Sequence, residues 1–317
     1  MRQPSERLRG GGHHEKRVAV IGGGINGICT AWALSRRGYQ CELFERAELV
    51  GQTSRASTKL LHGGLRYLEN GQFRLVREAL RERRWWLATV PALTRPLQLL
   101  LPLYRSGGRS RWKLKVGLWL YDGLAGADNI GRHQWHGVRA VASMAPELNR
   151  HGLLGGFTFY DGQMDDYRLG LWAAEQAKDA GARLHCGEEV LGVGPDGSVA
   201  TARRTEHFDA VVNAAGPWAE KLLQRSGIQP RHHLDLIRGS HLLIDREISR
   251  GYLLEAPRDR RPFFVLPYRG GTLIGTTEER QALDEDVRCT DEEARYLTEA
   301  YNAYFRQPLR SEEIADG

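Results

Sequence analysis

Between Arg17 and Glu45 the chain alternates in a way that few folds accommodate. RVAVI (17–21) is a β-branched apolar run, too short for a helix and bounded at once by Gly22-Gly23-Gly24. INGICTAWALSRRG follows, with Ile25, Ile28, Ala31, Trp32 and Ser35 on one face at helical spacing and Gly38 as its stop. QCELFE (40–45) then reads as a second strand. Strand, glycine turn, helix and strand within about 30 residues make a βαβ unit. Such a unit requires parallel strands joined by a crossover, and so an α/β fold.

The glycines satisfy G-x-G-x-x-G, and each has a physical task. Gly22 makes the tight turn, Gly24 removes a side chain that would block a pyrophosphate, and Gly27 lets helix and strand pack closely. The helix N-terminus offers free N–H groups and positive dipole to phosphate. Glu45, at the end of the second strand, can accept hydrogen bonds from ribose hydroxyls and disfavours a 2′-phosphate, although Arg46 stands beside it. The pattern predicts a Rossmann-type dinucleotide site; NAD and FAD both fit it.

Beyond Glu45 the periodicity predicts helices over Phe73–Leu87 and Arg168–Gly181. It predicts strands at Ala182–Cys186, in EEVLGVG, at Asp209–Ala214, Ile237–Asp245, Phe263–Tyr268 and Gly271–Thr277. Pro195-Asp196-Gly197 marks a hairpin turn. A chain of 317 residues suggests about two domains. Its 41% hydrophobic and 26% charged residues are those of a soluble globular protein. No apolar run reaches the roughly 20 residues of a membrane span. Residues 1–16 lack an apolar signal region and read as a disordered basic leader. Cys29, Cys41, Cys186 and Cys289 form no C-x-x-C pair, which argues for reduced thiols in the cytoplasm and against zinc. His13-His14 and His232-His233 lack metal-ligand spacing, so no metal is expected. The net charge of +6 fits nucleic acid, an anionic substrate or an anionic membrane face. No helix-turn-helix, RRM or zinc pattern accompanies it, so no nucleic-acid partner is expected.

GGGINGICTAWALSRRGYQCELFE, followed by TSRASTKLLHGGLRYLENGQFRLVREAL, resembles the FAD-dependent glycerol-3-phosphate dehydrogenases of the D-amino-acid-oxidase-like superfamily. The resemblance continues through YDGL (121–124), MDDYRL (164–169), NAAGPWA (213–219), IRGSHLLI (237–244), FFVLPY (263–268) and IGTT (274–277). It implies an α/β fold with a Rossmann-type FAD-binding domain from 17–70 and 140–235, and a β-sheet substrate domain from 70–140 and 235–300. It implies FAD as cofactor and oxidation of sn-glycerol 3-phosphate to dihydroxyacetone phosphate, with hydride passing to the flavin. Electrons would pass on to a quinone from the inner face of the cytoplasmic membrane.

The same resemblance assigns residues. Gly22, Gly24, Asn26, Gly27, Glu45 and Arg46 would hold the nucleotide, with Val190, Ala215 and Gly216 beside them. Thr53, Ser54, Ser57, Lys59, Leu60 and His62 would wrap the flavin end, and Gly63-Gly64 would bring backbone to the flavin ring. Arg66 and Tyr67 would face the substrate, since a guanidinium fork matches phosphate oxygens two at a time. His62 and His241 are alternative bases for the hydroxyl proton. An amino-acid or 2-hydroxyacid oxidase of the same superfamily, and an FAD-binding protein without turnover, are the rival readings.

Two features stand apart. The family continues with a phosphate-binding Gly-x-Arg-Pro string, a Gly-Gly-Lys-Leu-Thr-Thr segment that returns to the flavin and a C-terminal helical domain. None of the three occurs in this sequence, which leads to the expectation of an incomplete enzyme. Arg95–Tyr121, RPLQLLLPLYRSGGRSRWKLKVGLWLY, is basic, without acids and rich in Leu and Trp. It reads either as an ordinary helical piece or as a membrane attachment. In the second reading Trp112, Leu118, Trp119 and Leu120 meet the acyl boundary, and Arg109, Arg111, Lys113 and Lys115 meet the headgroups.

Overall fold

A computed structural model describes residues 16–108 and 110–316. Most of the expected leader, with His13-His14, and Arg109 lie outside the described residues. The chain divides into two compact units, one of 1–55 with 166–234 and one of 56–165 with 235–317. The changeovers after Arg55 and Asp165 differ from the boundaries near 70 and 140 expected from sequence, so 56–70 and 140–165 belong to the second unit.

The first stretch runs β1 (Arg17–Ile21), α1 (Ile25–Ser35) and β2 (Gln40–Glu45). The second runs β3 (Leu60–Leu61), α2 (Phe73–Thr89), β4 (Thr94–Tyr104), α3 (Arg111–Ala125), β5 (Gln134–His136), α4 (Val138–Met144) and β6 (Leu153–Met164). The third holds α5 (Asp166–Asp179), β7 (Arg183–Cys186), β8 (Val190–Val193), β9 (Ser198–Thr201), β10 (Thr205–His207), β11 (Ala210–Asn213) and α6 (Ala219–Arg225). The last holds β12 (Ile237–Arg238), β13 (His241–Ile244), β14 (Gly251–Glu255), β15 (Pro262–Tyr268), β16 (Gly271–Gly275), β17 (Glu279–Arg280), α7 (Asp291–Asn302) and β18 (Ile314–Asp316).

The first unit is the expected parallel sheet, ordered β11-β1-β2-β7. β1 is central: Val18 faces Cys41 on one side and Ala210 on the other. Strands of a parallel sheet are covered on both faces, which is why RVAVI and QCELFE read as nearly unbroken apolar runs. On one face α1 packs against α5, with Trp32 edge-on to Trp172 at 5.8 Å. Ala19, Ile21 and Phe44 form a core with Val190, Val199, Phe208 and Leu222. The antiparallel sheet β10-β9-β8 contributes to it, and the hairpin turn joining β8 to β9 carries Pro195-Asp196-Gly197 as expected. One acid is buried in β2. Glu42 accepts hydrogen bonds from Arg17 (2.8 Å), Arg183 (2.5 Å) and His185 (2.9 Å).

The second unit is built on a nine-stranded sheet, ordered β18-β13-β16-β15-β14-β4-β6-β3 with β5 also on β6. β4 and β6 pair from Thr94↔Met164 to Tyr104↔Leu153. The first half of the basic, Leu-rich block is therefore a strand, which corrects the helical reading of that part. Proline is unusual inside a sheet because it cannot donate to the ladder. Pro96 and Pro102 fall outside Leu99 and Leu100, the positions at which β14 pairs with β4.

The second half of the block is α3. Leu118 is 1% exposed and packs in the core beneath α2 and α3, so it is not available to a membrane. Trp112 and Trp119 are 70% and 67% exposed. Among the described residues no helix is long and apolar enough to cross a membrane.

Candidate functional site

The glycine turn after β1 is held from three sides. Gly22 N–H donates to Phe44 O (2.8 Å), Gly23 N–H to Glu45 Oε2 (2.6 Å), and Ile25 N–H to Ser54 Oγ (3.0 Å). Gly22 has φ +108°, and a Cβ there would lie 2.4 Å from Ala214 O on the segment after β11. Gly27 meets a tighter limit, since its Cβ would lie 1.9 Å from Gly22 O. It therefore fixes the approach of α1 to the turn. The close contact carries the packing role expected of Gly27.

Gly24 differs from both. It caps α1 in an extended conformation without a side-chain cap bond, and a Cβ there would meet Ser54 Oγ at 3.1 Å. It borders a cavity of about 260 Å³ at the N-terminal end of α1. Gly22, Asn26, Glu45, Arg46, Thr53 and Ser54 also line this cavity. So do Val190, Ala215 and Gly216, the last with φ +55° and open space where a Cβ would be. Ten of the expected cofactor residues are thus brought together.

Glu45 differs from expectation in one respect. Its carboxylate accepts from Gly23 N–H through Oε2 and from Ala47 N–H (2.9 Å) through Oε1, so it builds the turn as well as facing the cavity. Sequence reasoning missed Trp218 and Lys221, which also line the cavity. The Arg46 guanidinium lies over the Trp218 ring at 4.1 Å, a cation–π contact that presents a flat wall. Trp218 sits in NAAGPWA, so the string that carried the signal was in view.

The donor set fits the nucleotide part of FAD. A helix N-terminus without a side-chain cap and with no acid in its first turn suits a pyrophosphate. The Gly24 cradle leaves room for it, the Glu45 carboxylate offers acceptor oxygens of the kind ribose hydroxyls need, and a flat cationic face stands beside them.

Ser57, Lys59, Leu60 and His62 belong to the second unit and do not line this cavity. Ser57 Oγ accepts from Lys59 N–H at 3.0 Å, and Lys59 adopts φ +60°. Leu60 is a core residue of β3. His62 is exposed, at the start of a tight turn. Gly63 and Gly64 have reasons to be glycine inside this unit. A Cβ on Gly63 would lie 2.3 Å from Leu80 and 2.4 Å from the Tyr121 hydroxyl; one on Gly64, at φ +74°, would lie 2.3 Å from the Tyr67 ring. The double glycine thus serves the packing of its own turn.

Arg66 and Tyr67 follow in a short 3₁₀ helix, Leu65–Leu68. Arg66 Nη1 contacts Glu278 Oε1 at 3.3 Å, in a pair whose side chains are 55% and 44% exposed. His241 stands on β13, its Nε2 2.9 Å from Thr58 Oγ1. Among the described residues no group of three His, Cys, Asp or Glu could hold a metal.

The profile of the FAD dependent oxidoreductase (DAO) family matches residues 17–316. A glycerol-3-phosphate dehydrogenase of Pseudomonas aeruginosa is 37% identical over 314 residues, covering 94% of this chain and 59% of the relative. A D-erythritol 1-phosphate dehydrogenase of Brucella abortus is 34% identical, covering 93% and 61%. The chain thus spans less than two-thirds of the length of these relatives. The crystal structure of a glycerol-3-phosphate dehydrogenase from Bacillus halodurans complexed with FAD superposes with a TM-score of 0.72 at 26% identity, over 95% of this chain and 55% of that one. L-proline dehydrogenase from P. horikoshii shares the fold, with a TM-score of 0.73 at 17% identity over 92% and 77%.

Proposed function

The chain belongs to the FAD dependent oxidoreductase family, and from that premise we propose that it oxidises sn-glycerol 3-phosphate to dihydroxyacetone phosphate. The observation that carries this reading is the Gly22–Gly27 turn with its open Gly24 cradle, in a chain 37% identical to a glycerol-3-phosphate dehydrogenase. The oxidation removes the hydroxyl proton and, from the same carbon, a hydrogen with its electron pair. Bound FAD supplies the two-electron acceptor.

The chain's own residues do the rest. The α1 N-terminus and the Gly24 cradle hold the pyrophosphate, Glu45 the ribose, and Arg46 with Trp218 flank the nucleotide. Ser54 keeps the turn open by taking the Ile25 N–H. Arg66 binds the substrate phosphate through its fork, in competition with Glu278. His62 and His241 remain the two groups that can take the hydroxyl proton. Phosphate recognition favours this substrate class over amino acids, and the erythritol-phosphate relative belongs to the same class of phosphorylated polyols.

Electron transfer to a quinone calls for contact with a lipid surface. Trp112, Val116 and Trp119 are exposed on α3 beside exposed Lys113 and Lys115, a composition suited to an anionic interface. The test is a titration of purified protein with FAD, followed by turnover with glycerol 3-phosphate, glycerol and a 2-hydroxyacid. Flavin uptake with turnover of glycerol 3-phosphate alone supports the proposal. Preference for the 2-hydroxyacid overturns the substrate, and binding of NAD without flavin uptake overturns the cofactor.

A further inference from the structure

Gly63 N–H is buried and needs an acceptor. It has one in Tyr121 Oη at 2.8 Å on α3, with Asp161 Oδ1 on β6 at 3.2 Å behind it. Tyr121 in turn donates to Asp161 Oδ1 at 2.7 Å, and Arg83 on α2 donates to the same oxygen at 2.7 Å. Arg83 also donates to Tyr160 O at 2.8 Å. The Arg83 and Asp161 side chains are 1% and 4% exposed. Three elements therefore converge on one carboxylate oxygen directly beneath the His62 turn.

Such a cluster is costly as a device for packing helices on a sheet. A buried ion pair is often matched or exceeded in stability by apolar residues of similar volume. Apolar residues could not accept the Gly63 N–H, however, and here Leu80 already supplies apolar contact to Gly63. On the preceding side the turn is tied to β6 by Leu60↔Gln163 and Leu61↔Gly162. On the following side the Tyr67 ring closes over Gly64. The cluster fixes the one backbone position between these two restraints.

We infer that Asp161, with Arg83 and Tyr121, is a positioning cluster that sets the His62–Arg66 turn for reaction. It rests on the proposed roles of His62 and Arg66. Tyr121 presents oxygen to Gly63 as an acceptor because its own proton is committed to Asp161 Oδ1, the oxygen that Arg83 also holds in place. Asp161 and Tyr121 reach the reaction through the turn; neither is itself a catalytic residue.

The test compares Tyr121→Phe and Asp161→Asn with the parent chain, by amide exchange and by steady-state kinetics. Leaving the Gly63 N–H poorly partnered should raise its exchange by on the order of 5- to 150-fold, with the amides of Phe157 and Phe159 on β6 unchanged. In the same variants kcat for glycerol 3-phosphate should fall about tenfold at unchanged flavin content. Unchanged Gly63 exchange, or exchange raised equally at Phe157 and Phe159, overturns the inference. Selective exchange with kcat unchanged overturns it too. If the parent chain itself turns nothing over, the functional reading has failed, and selective exchange still establishes the hold on the turn. Should Asp161→Asn not fold, Tyr121→Phe decides alone. If neither folds, the cluster is a stability device and the inference falls.

Discussion

Gly24 and Gly27 stand three residues apart in one motif, yet replacing each by alanine should have opposite consequences. At Gly27 the new Cβ would lie 1.9 Å from Gly22 O, whereas carbon and oxygen touch at about 3.3 Å. The shortfall is about 1.4 Å against backbone, so α1 must retreat from the turn. Overpacking of this kind costs roughly 1–3 kcal/mol, and the better helix propensity of alanine returns about 1 kcal/mol. A shortfall of this size against backbone calls for the upper end of that range, so a net loss of about 2 kcal/mol in folding stability is expected. At Gly24 the backbone (φ −74°, ψ 172°) suits alanine, and the contact is Ser54 Oγ at 3.1 Å, which yields by a few tenths of an ångström. Folding stability should stay within about 0.5 kcal/mol. The methyl group instead occupies cavity space at the α1 N-terminus, where FAD affinity should drop at least about tenfold, or 1.4 kcal/mol. Urea unfolding of the cofactor-free proteins and flavin fluorescence titration measure the two quantities separately. Gly24→Ala binding FAD within about twofold of the parent would refute the placement of the pyrophosphate. Gly27→Ala unfolding like the parent would refute the packing argument.

Three further outcomes are expected. Burial alone would raise the Glu42 pKa, but hydrogen bonds from Arg17 and His185 and the charges of Arg183 and Arg17 hold it below its ordinary 4.5. Its contribution is therefore present above pH 4.5 and lost as pH falls through the lower folded value. Glu42→Gln should cost about 2 kcal/mol at neutral pH and flatten the acid limb of a stability–pH curve, and an unchanged limb would refute the assignment. If Arg66 binds the substrate phosphate, Arg66→Lys should raise KM for glycerol 3-phosphate about tenfold and Arg66→Ala further. Glu278→Gln should lower it by about 1.5- to 5-fold, the range for an exposed pair, and normal kinetics in Arg66→Ala would make this a surface arginine. Trp112→Ser with Trp119→Ser should reduce cosedimentation with anionic vesicles by on the order of tenfold without lowering stability; undiminished binding would remove α3 as the contact.

What the sequence reveals and what it conceals divide by range. β1 and β2 are legible to the residue, and α1 to within its last turn, because strand, turn and helix each declare themselves within a few positions. So is the hairpin at Pro195-Asp196-Gly197. α7 was readable but passed over: Thr290 and Glu293 form a capping box before an apolar stripe. β4 and β6 were concealed because prolines in one and glycines in the other weaken local strand character. Their mutual pairing, with Pro96 opposite Gly162 and Pro102 opposite Gly156, stabilises both. In the site, the nucleotide turn is local and was found. The packing demand on Gly63 was hidden because the neighbours that set it, Leu80 and Tyr121, are distant in the chain. Asp161 and Arg83 carried no signal, since only the fold brings a helix and a strand to the same amide.

The central place of β1 has a consequence for biosynthesis. Its partner β2 emerges almost at once, but Arg17 N–H donates to Asp209, 192 residues further on. At roughly 5–20 residues per second a ribosome needs about 10–40 s to deliver β11. Throughout that interval the apolar edge of RVAVI has no native neighbour, and it stands open to any other unpaired strand. Holding chaperones should therefore engage nascent chains until β11 (Ala210–Asn213) has left the ribosome and release longer ones, and ribosome-bound chains of graded length would reveal the step.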